Sequence, residues 1–319
     1  MWKKISVGLL LLILSSGMLP FGESRLIAAE GAPGHEKMTD ANTQRLVLDD
    51  MEDTADWYNG SPEETQISAS TKHVKQGTTS LLFANVVDHT KGEKNYPVGW
   101  PRTGKDLGKG EPTDFSQYDF FECWIYVETD RESLPGNPLG IGFYHSGPKR
   151  STSFPLNEVK KDAWVKIVIP LDQLHENAAD VNRVQLNISE SNYKHGDRVD
   201  FYVDDVVLTR FIHPVVAELD VDRNVLYSGD RQITALYKLM GRQGIDRVKV
   251  RFEVGQGDGA PVATATGRPS PTGELPLDLS GPLAPGNYWG RLALVDDAGQ
   301  VVDREQVEFR VIDGPFLAR

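Results

Sequence analysis

From Arg247 to Val254 the chain alternates without a break: Val248, Val250, Phe252 and Val254 against Arg247, Lys249, Arg251 and Glu253. A period of two puts the apolar set on one face of an extended chain, the signature of a half-buried β-strand. Gln306 to Val311 repeats it, with Val307, Phe309 and Val311 against Gln306, Glu308 and Arg310. Helical periodicity is nearly missing; only Leu171 to Ala179 has room for one helical turn. The 30 glycines and 19 prolines interrupt the chain at short intervals. Many short strands separated by such turns predict an all-β protein of sandwiches or barrels.

The 319 residues exceed one average domain and suit two. A boundary falls at His213-Pro214. Before it, Phe201 to Thr209 reads as a strong strand; after it, Val215 to Val221 opens a new strand series. The expected organisation is a signal peptide at 1–29, a flexible polar leader at 30–45, one β-sandwich over 46–210 and a linker at 211–214. A second sandwich follows over 215–313, the usual size of an immunoglobulin-like unit, and then a tail at 314–319.

Lys3 and Lys4 precede an apolar stretch, Ile5 to Leu14, that is too short to span a bilayer, and small residues follow it. This predicts export, with the product secreted or held at the cell surface, and no membrane span. The formal net charge is −12. An acidic surface disfavours nucleic acid and anionic membranes. The single cysteine, Cys123, precludes an intrachain disulfide. It lies in the apolar run 120–127 and reads as a buried, inert thiol. Export without disulfides points to a bacterium.

Four pieces of the first unit carry a resemblance. They are Leu48-Asp49-Asp50-Met51-Glu52 with Trp57 following, His73 to Leu81 with Gly77 and Ser80, Asp114 to Asp119 leading into the strand 120–127, and Tyr202-Val203-Asp204-Asp205-Val206. In this order, over residues 46 to 210, they resemble the galactose-binding-like jelly-roll modules found as carbohydrate-binding modules beside glycoside hydrolases. Residues 285 to 299, from Pro285-Gly286-Asn287-Tyr288 to Asp296-Asp297-Ala298-Gly299, resemble immunoglobulin-like or fibronectin-like modules of bacterial surface enzymes. The resemblance implies a jelly-roll β-sandwich followed by an immunoglobulin-like one. It transfers no reaction, because function lives in sites grafted on a fold.

The same resemblance implies a structural calcium ion where the first and last strands meet. The matching positions are Glu52 and Asp204, with backbone carbonyls near Lys75 and Gly77, and with Asp49, Asp50 and Asp205 as substitutes. Ca²⁺ takes about six to eight oxygens and mixes carboxylates with carbonyls. The competing expectation is that these acids are solvated or cap turns.

Sugars present apolar faces and hydroxyl edges, so a site for them needs aromatic platforms beside amides and carboxylates. In the strand 120–127, Phe121, Cys123, Ile125 and Val127 should face the core. Phe120, Glu122, Trp124 and Tyr126 then point the other way. Tyr144 on the next strand, and Gln185 and Asn187 on a third, continue such an outward set. The expected ligand face therefore joins Glu122, Trp124, Tyr126, Tyr144, Gln185 and Asn187 on one concave sheet, with Trp100 and Tyr96 as rim. The competing expectation is that Trp124 and Tyr126 are covered by a long loop or by the second unit.

No catalytic motif is present: no G-x-S-x-G, no H-E-x-x-H, and no phosphate loop. The Gly255 to Gly259 stretch follows a strand and reads as a loop. The expected function is a secreted, non-catalytic carbohydrate-binding protein whose partner is a polysaccharide or cell-surface glycan. The alternatives are a structural or protein-interaction module, or a truncated relative of a larger glycoside hydrolase.

Overall fold

The structure, a computed structural model, describes residues 32–91, 99–146 and 151–314, apart from the side chain of Glu176. The expectations for residues 1–29, for Tyr96 and for most of the tail lie outside these residues. The strands in chain order are β1 (Thr43–Asp49), β2 (Trp57–Asn59), β3 (Thr65–Ser70), β4 (Ser80–Val86), β5 (Arg102–Asp106), β6 (Phe120–Thr129), β7 (Gly140–His145), β8 (Ser151–Pro155), β9 (Trp164–Pro170), β10 (Val181–Asn187) and β11 (Arg198–Phe211). Past Pro214 come β12 (Val215–Val221), β13 (Val225–Tyr227), β14 (Gln232–Met240), β15 (Val248–Gly255), β16 (Ala263–Gly267), β17 (Thr272–Asp278), β18 (Gly286–Asp296) and β19 (Val301–Ile312). The chain is all-β. Its helical segments among the described residues are 3-10, and none is long and apolar enough to cross a membrane.

Up to Phe211 the strands form two sheets. One runs β3-β4-β11-β6-β9, with β1 added on β11; the other runs β2-β5-β10-β7-β8. Their inner faces close on a single core, in which Phe121 of the six-stranded sheet meets Phe143 of the five-stranded one edge to face at 5.1 Å. Cys123 lies in that core, and burial pushes its thiol pKa up, away from reactivity. After Val215 a three-stranded sheet, β12-β14-β17, and a five-stranded one, β13-β19-β18-β15-β16, enclose a second core around Phe252, Leu292 and Phe309. The alternation read at 247–254 is seen there: Val248, Val250, Phe252 and Val254 are all buried. Leu171 to Asp180 is a broken 3-10 segment.

Between the two cores a third, small cluster buries Ala32, Phe120, Val168, Phe211, Val215 and Met240. Asp119 crosses the same junction: its Oδ2 accepts from Phe211 N at 2.8 Å and its Oδ1 from Gly241 N at 2.9 Å. Residues 32–45, expected as a flexible leader, are instead folded onto this junction. Lys37 binds Asp303 at 2.7 Å and Glu305 at 2.6 Å, and Thr43 already begins the pairing of β1 with β11. The leader shows no periodicity because its partners lie far along the chain.

Candidate functional site

The outer face of the five-stranded sheet is built by simple alternation. Val184 and Leu186 of β10 point into the core, so Arg183, Gln185 and Asn187 point out. On β7, Ile141 and Phe143 point in, leaving Gly140, Gly142 and Tyr144 outside. The register aligns these in rows across the strands. One row is Tyr58, Gly104, Gln185, Gly142 and Ser153. The row on one side is Asp106, Arg183, Tyr144 and Ser151; the row on the other is Arg102, Asn187, Gly140 and Pro155.

Glycine at 104 and 142 shapes this surface. A Cβ on Gly104 would stand 2.9 Å from Tyr58 Cε1, and one on Gly142 would stand 3.2 Å from Tyr144 Cε2. The two rings lie down across the glycines and converge on Gln185. Tyr58 donates its hydroxyl to Gln185 Oε1 at 2.5 Å, and Gln185 Nε2 donates to Tyr144 Oη at 3.0 Å. Gln185 is only 3% exposed beneath them. Burial raises the Tyr58 hydroxyl pKa, so the phenol stays a donor. The Arg183 guanidinium packs over both rings, 5.0 Å from the Tyr58 centroid and 5.7 Å from the Tyr144 centroid, while its Nε donates to Asp106 Oδ1 at 2.5 Å.

Beside the tyrosines runs a groove of about 310 Å³ lined by Gly140, Ser153, Pro155, Asn187, Ser189 and Trp100. Trp100 is 42% exposed, with the Arg102 guanidinium 5.4 Å from its ring. The backbone leading into Trp100 is held from below. Fully buried Glu190 accepts from Asp88 N at 2.9 Å and from Gly99 N at 2.8 Å. Glu64 reaches the same spot, since a Cβ on Gly99 would meet oxygens of both carboxylates. Burial, reinforced by Glu190 and Asp88, pushes the Glu64 carboxyl up to about 7.

Of the expected ligand residues, Tyr144, Gln185, Asn187 and Trp100 are thus brought together. Glu122, Trp124 and Tyr126 are not with them. β6 pairs with β11 and β9, so these three lie on the outer face of the opposite, six-stranded sheet. Alternation assigns a residue to a face of its own sheet; it does not say which sheet. Trp124 and Tyr126 are half-buried there. Lys75 Nζ sits 3.8 Å over the Trp124 ring, His73 stacks on Tyr126 at 4.0 Å, and Glu122, buried, pairs with Lys166 at 2.7 Å. Among the described residues the rings are covered by the turn at 73–75. Sequence reading missed Tyr58 and Arg183. Tyr58 sits in a three-residue strand, too short to show a period. Extending the alternation of Val184 and Leu186 back by one step would have reached Arg183.

Glu52 and Asp204 grip one turn from two sides. Asp204 Oδ2 accepts from Lys75 N at 2.7 Å and Gln76 N at 3.1 Å; Glu52 Oε1 accepts from Thr78 N at 2.7 Å and Thr79 N at 3.2 Å. Gly77 permits this, because a Cβ there would fall 2.0 Å from Glu52 Oε1. The contacts seen are thus to backbone amides rather than carbonyls. Asp204 Oδ1, however, is buried and has no hydrogen-bond partner among the described residues, and burial raises the carboxyl pKa. Of the neighbours, Asp205 pairs with Arg45, Asp49 pairs with Lys105, and Asp50 is exposed. No group of three or more His, Cys, Asp or Glu among the described residues is placed to hold a metal ion.

No protein-family model matches the chain, and no curated protein does. Among solved structures it is similar to CBM27-1 of Caldicellulosiruptor saccharolyticus in complex with mannohexaose, at 16% identity over 52% of this chain and 96% of that one, with a TM-score of 0.35. It is also similar to the C-terminal family 22 carbohydrate-binding module of a Clostridium thermocellum protein, at 13% identity over 50% of this chain and 90% of that one, with a TM-score of 0.31. A β-glucuronidase from Ruminococcus gnavus matches 89% of this chain at 11% identity, but only 48% of its own length is covered, with a TM-score of 0.29. At TM-scores this low, no function passes from these proteins to this chain.

Proposed function

We propose that the protein is an exported, non-catalytic carbohydrate-binding protein whose ligand face is the outer surface of β2, β5, β10, β7 and β8. One observation carries this reading: two tyrosine rings laid flat over glycines and fixed by a single buried amide, beside a groove that ends at an exposed tryptophan. Flat aromatic rings cover the apolar faces of pyranoses at small entropic cost, having two χ angles to fix. Asn187, Ser153 and Arg183 supply the hydrogen-bonding edge. Retention on glycan-containing native gels, in the wild type and in a Tyr58→Ala/Tyr144→Ala variant, tests it.

The absence of catalysis belongs to the same proposal. Glycoside hydrolysis ordinarily uses two carboxyl groups flanking the bond. Among the outward-pointing residues of these five strands the one carboxylate is Asp106, which is engaged by Arg183. The residues from Val215 onward would serve as an immunoglobulin-like spacer.

Calcium also belongs to the proposal. The residues present fit a hard cation in one respect: Asp204 Oδ1, on the β11 side of the turn that Glu52 also holds, is a buried carboxylate oxygen without a hydrogen-bond partner among the described residues. Asp204 and Glu52 would hold the ion, which would neutralise buried charge and stiffen the 75–79 turn. Trp124 and Tyr126, on the outer face of the opposite sheet with Lys75 and His73 packed on their rings, belong to the scaffold in this proposal.

A further inference from the structure

We infer that the glycan bound on the five-stranded face is an acidic one, a polysaccharide whose sugar units carry carboxylates, and that Arg183 is the residue that reads the carboxylate. This rests on the proposal that the face binds carbohydrate, and adds the class of sugar.

Arg183 is held in one orientation by two kinds of contact. Asp106 fixes its Nε edge at 2.5 Å, and the rings of Tyr58 and Tyr144 support its plane. No described residue accepts a hydrogen bond from Nη1 or Nη2, and the side chain is 37% exposed. A guanidinium fixed at Nε and on its face, with its remaining donors open, is arranged to take a carboxylate through two parallel hydrogen bonds. The guanidinium lies over the two rings of the proposed ligand face, so a carboxylate taken by its free donors would be held on that face.

The experiment is affinity electrophoresis of the full chain in gels containing polygalacturonate, its carboxyl-reduced neutral galactan, or dextran sulfate, at about 0.15 M salt, where exposed charges are screened beyond about 8 Å. The expected result is that the wild type is retained at least tenfold more strongly by polygalacturonate than by the reduced polymer, and more strongly than by dextran sulfate. Arg183→Gln should abolish this preference. Arg183→Lys, which keeps the charge but not the fork, should restore little of it. Melting curves establish that each variant is folded, and the wild-type comparison needs no variant at all. Equal retention by acidic and neutral polymers, or an unchanged preference in folded Arg183→Gln, overturns the inference while the carbohydrate reading stands. Equal or stronger retention by dextran sulfate also overturns it, replacing carboxylate recognition by general attraction to polyanions. Retention by none of these or any neutral glycan would instead remove the carbohydrate reading on which the inference rests.

Discussion

Tyr58 reaches across β5 to donate its hydroxyl to Gln185 Oε1 at 2.5 Å, and the residue it crosses is Gly104. Tyr144 meets the other end of the same amide. The buried glutamine therefore positions two rings without itself being open to a ligand. Gln185→Leu should leave both tyrosines in the sequence yet lower glycan retention, because the rings lose their common hold. Losing a buried partner typically costs about 1–3 kcal/mol, so a fall in melting temperature should accompany it. Unchanged retention in this variant would show that the bridge has no part in binding.

Trp124→Ala separates the two sheets. The ring lies under Lys75 Nζ, on the sheet opposite the proposed ligand face. The change should destabilise the first sandwich, the cation–π contact alone accounting for about 0.5–2 kcal/mol, and should leave glycan retention as it was. Loss of retention at unchanged melting temperature would place the ligand on the six-stranded sheet instead.

Calcium should raise the melting temperature. An ion that binds only the folded state at 100 times its dissociation constant stabilises it by about 2.7 kcal/mol. Glu52→Gln and Asp204→Asn should lose most of the response. Identical melting of the wild type in calcium and in chelator would remove the ion from the proposal.

How much of this was legible in the sequence depended on strand length. In β6 the alternation placed Phe121, Cys123, Ile125 and Val127 in the core, where they are. The same alternation put Trp124 and Tyr126 on an outer face but carried no information about sheet membership. After Thr129 the chain crosses to the other sheet before β7, so Tyr144 parts from Trp124. Tyr58 and Gly104 were invisible for a different reason. Their roles arise from pairing between β2, β5 and β10, which brings distant segments into one row. Within the 73–81 motif the resemblance implies calcium contacts near Lys75 and Gly77, while the same turn lays His73 and Lys75 over Tyr126 and Trp124.

The Glu64 carboxyl, raised from 4.5 to about 7 by burial and by Glu190 and Asp88, should make stability depend on pH. A group whose folded pKa is raised supplies stability that is complete below pH 4.5 and is lost as pH rises through about 7. Glu64→Gln, which stays neutral, should gain stability relative to the wild type over that window and run parallel to it above. Parallel melting curves across the whole range would mean that Glu64 ionises normally beneath Gly99.

Titration of the wild type and of Tyr58→Ala/Tyr144→Ala against a panel of soluble polysaccharides is the most direct test of the ligand face. The expected result is saturable binding of at least one polysaccharide by the wild type, without cleavage, and its loss in the double variant with both sandwiches still folded. Binding that survives the double substitution, or a wild type that binds no member of the panel, would contradict the assignment of this face to carbohydrate.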